Sequence, residues 1–259
     1  MLAKLSVDQV LMKARSNAKK GDFAGAKNLY QTVLQTFPKN QRAQRELAAL
    51  KKAKQDNATQ NTSQDEVDQL FALYNQKQFS AVFDQALAIT KQYPKAFIVW
   101  NLLGASAVQI GLLDMAIASY NKCISFKPDF VDAYYNMGNA LQERGHLDEA
   151  ITAYKKAISL KPDYADAYIN MGNTLKNQDK LEQAIEAFNK ALSLKPDYAT
   201  AYNNLGVTLQ KLGNVDEAIT AYNKAILLKP DYADAYNNMG NTFKDKGKLD
   251  QAITAYKKA

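Results

Sequence analysis

The chain repeats itself every 34 residues, and this period restricts the fold more than any other feature of the sequence. Glycine and proline both recur at that step, at Gly104, Gly138, Gly172, Gly206 and Gly240 and at Pro94, Pro128, Pro162, Pro196 and Pro230. A fixed period of this size is typical of short structural units that stack on one another instead of closing around a single core. We therefore predict an array in which each unit buries its apolar surface against its neighbours.

Each unit has the pattern of two amphipathic helices. In the copy at residues 165–198, Tyr168, Met171, Gly172 and Leu175 follow the i, i+3, i+4, i+7 spacing of one helix face, and a second such run begins at Ala184. Leu-Lys-Pro is predicted to close the second helix, because the residue before proline is driven out of helical geometry.

The turn inside each unit is also marked in the sequence. A left-handed residue that ends the first helix is predicted at Gly111, Gly145, Gly213 and Gly247. Asp179 takes this place in the third regular copy, where a left-handed conformation is less well tolerated. The carboxylate of Asp163 is predicted to cap the first helix of that copy.

The recurring residues resemble the tetratricopeptide repeat. They are an aromatic residue, Leu or Met beside the glycine, and then Ala and Tyr or Phe in the second helix: Trp100, Tyr134, Tyr168, Tyr202 and Tyr236; Leu103, Met137, Met171, Leu205 and Met239; Ala116, Ala150, Ala184, Ala218 and Ala252; Tyr120, Tyr154, Phe188, Tyr222 and Tyr256. The resemblance implies an all-α fold, a right-handed α-solenoid of stacked antiparallel helix hairpins, with the first helices lining its concave side.

The spacing of the copies predicts two domains. Residues 1–55 are expected to form a basic N-terminal hairpin with a closing helix, and the polar stretch 56–62 a linker. The array is expected at 63–259, with a diverged copy at 63–96, regular copies at 97–130, 131–164, 165–198 and 199–232, and a truncated one at 233–259. Since Ile253 and Tyr256 lack a following hairpin, we expect either that the chain is a fragment of a longer protein or that two copies form a homodimer through their exposed array ends.

The positive charge is concentrated in the N-terminal domain. Residues 1–62 hold 12 Lys and Arg against 4 Asp and Glu, whereas residues 63–259 hold 21 against 22. The basic residues considered are Lys13, Arg15, Lys19, Lys20, Arg42, Arg45, Lys51, Lys52 and Lys54. No nucleic-acid motif or stacking aromatic residue accompanies them, so we interpret them as solvated surface and not as a nucleic-acid or membrane contact.

The sequence offers no group of residues for chemistry. We find no glycine-rich phosphate loop, metal cluster or activated nucleophile, so we expect no enzyme activity, catalytic residue, metal or cofactor. Cys123, the one cysteine, is interpreted as a small buried residue, and His146, the one histidine, as a turn residue. With no apolar run long enough for a membrane span and no signal peptide, we expect a cytoplasmic location.

Candidate binding residues lie at the outward positions of the predicted first helices. The set is Asn101, Leu102, Tyr135, Asn136, Asn139, Asn170, Asn173, Asn203, Asn204, Asn237, Asn238 and Asn241. The ladder of Asn136, Asn170, Asn204 and Asn238 has two open interpretations, pairing with the backbone of an extended peptide or bonding to the neighbouring hairpin. Tetratricopeptide arrays that clamp a C-terminal carboxylate carry Lys where this chain has Asn101, Tyr135, Ile169, Asn203 and Asn237, so such a tail is expected to bind poorly.

The function expected from this resemblance is a non-catalytic scaffold that binds an extended peptide or protein segment in the concave groove. The alternative is the substrate-selecting repeat region of a larger enzyme whose catalytic domain is absent here. Residues 63–259 are similar in this respect to the arrays that precede the catalytic domains of bacterial sulfotransferases and glycosyltransferases, including the protein O-GlcNAc transferases.

Overall fold

A computed structural model describes residues 6–19, 22–58 and 64–259, and the regular structure in these ranges is entirely α-helical. The helices are α1 (Val7–Lys19), α2 (Phe23–Thr36), α3 (Gln41–Ala58), α4 (Gln64–Asn75), α5 (Phe79–Gln92), α6 (Phe97–Gln109), α7 (Leu113–Phe126), α8 (Val131–Glu143), α9 (Leu147–Leu160), α10 (Ala165–Asn177), α11 (Leu181–Leu194), α12 (Ala199–Lys211), α13 (Val215–Leu228), α14 (Ala233–Asp245) and α15 (Leu249–Tyr256). The predicted all-α fold is therefore confirmed.

The chain forms two compact units, residues 1–69 with 87–96 and residues 70–86 with 97–259. In the first unit α2 packs on α1 and on α3, around a core that includes Leu11, Ala14 and Tyr30. Leu47 and Leu50, three residues apart on one side of α3, are buried in this core.

The closing helix of the first unit is longer than predicted. It continues through Asp56 to Ala58, so these residues are helical and not part of a linker. The remainder of the predicted linker, residues 59–62, lies outside the described residues. The domain boundary near residue 60 stays a prediction.

In the second unit, α6 to α15 form five consecutive helix hairpins. From α6 to α15, consecutive helices pack against each other. An aromatic ring fills the space between the two helices of every hairpin, and a Cβ atom added to the facing glycine would lie 2.8 Å from the Phe188 ring at Gly172 and 2.6 Å from the Tyr154 ring at Gly138. Glycine at this position therefore lets the first helix approach the aromatic ring of the second.

The turns inside the hairpins have the predicted left-handed backbone. Gly145 and Gly213 have φ of 87° and 88°, and Asp179 adopts φ of 60° at the same place. A residue with a Cβ atom is uncommon in this region, although Asp is among the residue types that enter it more often. The third regular copy thus keeps the turn geometry without the glycine.

The predicted cap at Asp163 is wrong. Tyr164 is the N-cap residue of α10, and no side chain caps this helix end. The helix begins at Ala165, so the carboxylate of Asp163 stands one residue too early to reach the N–H groups that a capping side chain serves. The predicted stop at Leu-Lys-Pro is confirmed, because α9 ends at Leu160 and Lys161 has an extended φ of −135°.

Apolar side chains of the last helix are accessible. Leu249, Ile253 and Tyr256 expose 61%, 52% and 37% of their surface. Dimerisation through the array ends stays a prediction.

Candidate functional site

The first helices of successive hairpins lie next to one another. Each of α6, α8, α10 and α12 contacts the first helix of the following hairpin, whereas α7, α9, α11 and α13 come less close to the second helix that follows them. Helices on the inner side of a curved stack are the ones that approach each other, so the first helices occupy the inner side of this unit. We call the surface of α6, α8, α10, α12 and α14 the first-helix face.

Most predicted binding residues are accessible on this face. Asn237 and Asn241 are exposed, and Asn101, Tyr135, Asn136, Asn139, Asn170, Asn173, Asn204 and Asn238 are partly exposed. Leu102 and Asn203 retain only 4% and 6% of their accessible surface, so their predicted exposure is wrong. Asn203 is covered where it meets the next first helix. Leu102 is apolar, so its removal from water is favourable.

Between α8 and α10 the polar side chains of the first-helix face form a continuous hydrogen-bond network. Asn170 donates from Nδ2 to the Tyr135 hydroxyl at 3.0 Å and to Asn139 Oδ1 at 2.8 Å. The Tyr154 hydroxyl lies 2.8 Å from Asn139 Oδ1 and 3.1 Å from Gln142 Oε1, so its one proton can serve either acceptor. Donors and acceptors of adjacent hairpins are matched here.

The joint between α12 and α14 is bonded in a similar way. Asn238 Nδ2 donates to Asn203 Oδ1 at 3.0 Å, and the Tyr222 hydroxyl donates to Gln210 Oε1 at 3.1 Å. Gln210 Nε2 in turn donates to Asp245 Oδ2 at 3.2 Å. Between α6 and α8, a longer bond of 3.5 Å joins Asn136 to Asn101.

The joint between α10 and α12 lacks this network. Ile169, Lys176 and Phe188 stand at the positions held one copy earlier by Tyr135, Gln142 and Tyr154, so two acceptors and one hydroxyl donor are lost together. These three substitutions interrupt the hydrogen-bond network between α10 and α12.

Two amides are left unpaired at this joint. Among the described residues, Asn173 Oδ1 is buried and has no hydrogen-bond partner. Asn204 accepts a bond from Thr208 through its backbone carbonyl at 2.7 Å, while its side-chain amide takes part in no bond within the described ranges. Buried polar atoms without partners are uncommon in folded proteins, so this joint differs in kind from its neighbours.

The same joint carries positive charge. Lys176 is partly buried, and its burial, followed by the charge of Lys211, lowers the pKa of the Lys176 ammonium group below its ordinary value. The corresponding positions one copy later are Gln210 and Asp245, which bond to each other. Within the described residues neither lysine forms an ion pair.

The remaining candidates for chemistry are inert or isolated. Cys123 is buried, and burial raises the pKa of its thiol to about 12, which keeps the sulfur protonated and unreactive. His146 is exposed at the start of α9, with Nδ1 3.4 Å from Glu149 Oε1. In the described part of the chain, no three His, Cys, Asp or Glu side chains are placed to share a metal ion.

Clefts that the repeat pattern did not predict lie beside the second helices. One of about 580 Å³ lies between α7 and α9, with Tyr134 and Met137 among its lining residues. A similar cleft of about 360 Å³, lined by Tyr202, lies between α11 and α13. One of about 320 Å³, lined by Tyr236, lies between α14 and α15 of the last hairpin. The sequence pattern identified these aromatic residues only as recurring positions of the repeat. Their partial exposure on the other side of the array makes them a second accessible surface.

The arginines of the first unit are largely neutralised by ion pairs. Arg15 pairs with Glu46, and Arg42 lies 3.0 Å from Asp8 and 3.4 Å from Glu46. The Arg15 guanidinium holds the pKa of the Glu46 carboxyl below its ordinary value. Lys20 and the side chains of Lys51, Lys52 and Lys54 lie outside the described residues.

None of the described helices has both the length and the apolar content needed to cross a bilayer.

Comparison with known families matches most of the regular array. A family described as "TPR repeat" matches residues 104–145, 138–179, 172–213 and 211–247, a stretch longer than half of the chain. A second family, described as "Tetratricopeptide repeat", matches residues 11–50. No curated protein matches the chain.

Several solved structures are similar to this one. A crystal structure of MamA has 33% sequence identity and a TM-score of 0.58, covering 60% of this chain and 91% of its own. MamA from Desulfovibrio magneticus RS-1, residues 41 to the end, has 20% identity and a TM-score of 0.60, covering 62% and 92%. YrrB, described as "a TPR protein with an unusual peptide-binding site", has 22% identity and a TM-score of 0.57, covering 67% and 89%. The hairpin repeat of 34 residues agrees with the family matches and with the MamA structure. The chain therefore belongs to the tetratricopeptide-repeat family.

Proposed function

We propose that this chain is a non-catalytic scaffold that holds an extended segment of a partner protein along the first-helix face. The observation that carries the proposal is the row of side-chain amides on this face, some of which have no partner among the residues that the structure describes. A side-chain amide has two donors and a two-fold acceptor, so a row of amides suits the backbone of an extended peptide.

The hydrogen bonds separate the ladder into two groups. Asn136, Asn170 and Asn238 donate to the preceding hairpin, which supports a stiffening role for their amide nitrogens. The side-chain amide of Asn204 has no such bond within the described residues. Stiffening and binding thus belong to different members of the same ladder, and Asn204 is the member assigned to the ligand.

The fold of YrrB supports the class of ligand. Its description assigns a peptide-binding site to YrrB, and the fold that it shares with this chain is one that can present such a site. We extend this class of ligand to the present chain and place it on the first-helix face.

The proposal is tested by selecting peptides from a random library displayed within a carrier protein, so that the peptide ends are not free. A length of about twelve residues would reach about 40 Å when extended, enough to cross several first helices. The purified chain is expected to enrich a set of related peptides. Asn204→Ala should weaken their binding several-fold, by about 1 kcal/mol for one lost hydrogen bond, with an unchanged melting temperature.

Asn170→Ala is the matched control, since its amide bonds to Tyr135 and Asn139 within the protein. It should lower the free energy of unfolding by about 1–3 kcal/mol. Failure to enrich any peptide family, or equal peptide binding by the parent and the Asn204→Ala variant, would contradict the proposal.

The alternative, that the array selects substrates for a glycosyltransferase or sulfotransferase domain, stays a prediction, as does the cytoplasmic location. No feature of the described residues favours the substrate-selecting role over that of an independent scaffold.

A further inference from the structure

The joint between α10 and α12 differs from the flanking joints in its balance of donors and acceptors. We call Asn173, Lys176, Asn204 and Lys211 the open joint. In the preceding joint the acceptors Tyr135 and Asn139 receive the amide hydrogens of Asn170. In the open joint, Ile169 has replaced the hydroxyl acceptor and cannot receive a hydrogen bond from Asn204.

The orientation of Asn173 removes a second acceptor. Its Oδ1 is buried and unpartnered, so it receives no hydrogen bond from Asn204 or from any other described residue. With the oxygen turned inward, Nδ2 is the part of the amide that faces the accessible side, and it too has no acceptor within the described ranges. Two amide nitrogens are therefore available with no described residue to accept their hydrogens.

Lys176 adds a third donor at the same place. It follows Asn173 by three residues on α10, which puts both side chains on one helix face. The position equivalent to Lys176 one copy later is Gln210, whose amide bonds to Asp245, and the position equivalent to Asp245 one copy earlier is Lys211. The next joint therefore places an acidic residue where the open joint has a second lysine.

We propose that the open joint binds the carboxylate of an aspartate or glutamate in the extended partner segment, with Lys176 and Lys211 as its charge partners and Asn173 and Asn204 as hydrogen-bond donors. This proposal rests on the proposed function, because it identifies one side chain of the segment held on the first-helix face.

The chemistry of the joint favours an anion over a neutral acceptor. Two lysines that approach each other without a carboxylate between them repel, and partial burial adds to the free energy of keeping Lys176 charged. A carboxylate between the two ammonium groups would remove the repulsion and accept charge-assisted hydrogen bonds, which are about twice as strong as neutral ones. A backbone carbonyl would accept hydrogen bonds but would leave both charges uncompensated.

The test repeats the peptide selection on the double variant Lys176→Gln and Lys211→Gln. The parent chain is expected to enrich peptides with Asp or Glu at one fixed position, and the double variant to lose this preference while still enriching peptides. Lys190→Gln is the matched control, since this exposed lysine lies on the second helix α11 and its loss should leave the acidic preference intact.

Affinities of one enriched peptide give the size of the effect. The parent should bind this peptide about tenfold more tightly than its Gln analogue, and the double variant should bind the two alike. Reversal of both charges, Lys176→Glu with Lys211→Glu, should shift the preferred residue to Lys or Arg.

Lys176→Met separates binding from packing, because it retains an apolar stem of similar length without the charge. It should bind the acidic peptide about tenfold more weakly and melt no lower than the parent. A lower melting temperature with unchanged affinity would show that Lys176 is a structural residue.

Two outcomes distinguish the failure of this inference from that of the proposed function. If peptides are enriched without an acidic preference, or if the preference survives in the double variant, the open joint does not bind a carboxylate although the scaffold function stands. If no peptide family is enriched at all, both are wrong.

Discussion

Phe188 stands where the other regular copies have tyrosine, at Tyr120, Tyr154, Tyr222 and Tyr256. Its ring lies against Gly172 much as the Tyr154 ring lies against Gly138, since a Cβ atom added to either glycine would be about equally close to the ring. The tyrosine hydroxyl reaches Asn139 in that hairpin, whereas phenylalanine leaves the equivalent Asn173 oxygen buried and without a donor among the described residues. The missing hydroxyl thus removes one donor from the polar network while the apolar packing is preserved.

Phe188→Tyr should raise the free energy of unfolding by about 1 kcal/mol, because the new hydroxyl can donate to Asn173 Oδ1. Urea denaturation followed by circular dichroism measures this change. Tyr154→Phe is the reverse exchange in the preceding hairpin and should lower the same quantity by a similar amount. Destabilisation by Phe188→Tyr would show that the ring has no room for a hydroxyl and that the two hairpins are not equivalent.

Conformation at single residues was largely predictable from the sequence, and burial less so. The left-handed turn at Asp179 follows from the period alone, because the other copies place glycine there. The burial of Asn203 depends on its contact with the next first helix, where Asn238 donates to it, and the pattern within one helix does not contain this contact.

At the scale of the helices, the sequence signals predicted where a helix ends better than where it begins. Leu-Lys-Pro stops α9 as expected, since proline restricts the residue before it through a direct steric effect. Asp163 failed as a cap because α10 begins at Ala165, and a capping carboxylate must stand at the residue immediately before the helix.

The pairing of α1 with α3 gives the first unit a defined response to pH. Arg15 lies against Glu46 and lowers the pKa of this carboxyl. A carboxyl with a lowered folded pKa adds stability above its unfolded pKa, and this contribution is lost as the pH falls through the folded value. The contribution is modest, because the arginine side chain is 44% exposed.

Glu46→Gln should accelerate amide exchange in α1 and α3 near neutral pH and reduce its dependence on pH in the acidic range. The measurement is hydrogen exchange at a series of pH values, corrected for the intrinsic exchange rate. Arg15→Gln should produce the same change, since the pKa shift depends on both partners. An unaltered pH profile in both variants would mean that the ion pair does not hold the two helices together.

At the scale of the whole molecule, the period predicted the family and the repeated hairpin, because stacked units each reproduce one local solution. The hydrogen bonds across the joints could not be predicted in the same way. They join positions of adjacent copies such as Tyr135 and Asn170, so they depend on pairs of residues. The sequence shows that three residues change together from one copy to the next, from Tyr135, Gln142 and Tyr154 to Ile169, Lys176 and Phe188. Only the structure relates these residues to one another.

We place the ligand on the first helices and not in the clefts beside the second helices. The most direct measurement is hydrogen exchange of the chain with and without one enriched peptide, resolved to single helices by mass spectrometry. We predict slower exchange in α8, α10 and α12, with the largest effect at the open joint, and little change in α7 and α9. Slower exchange confined to α7 and α9, beside the cleft lined by Tyr134 and Met137, would contradict the assignment of the binding face.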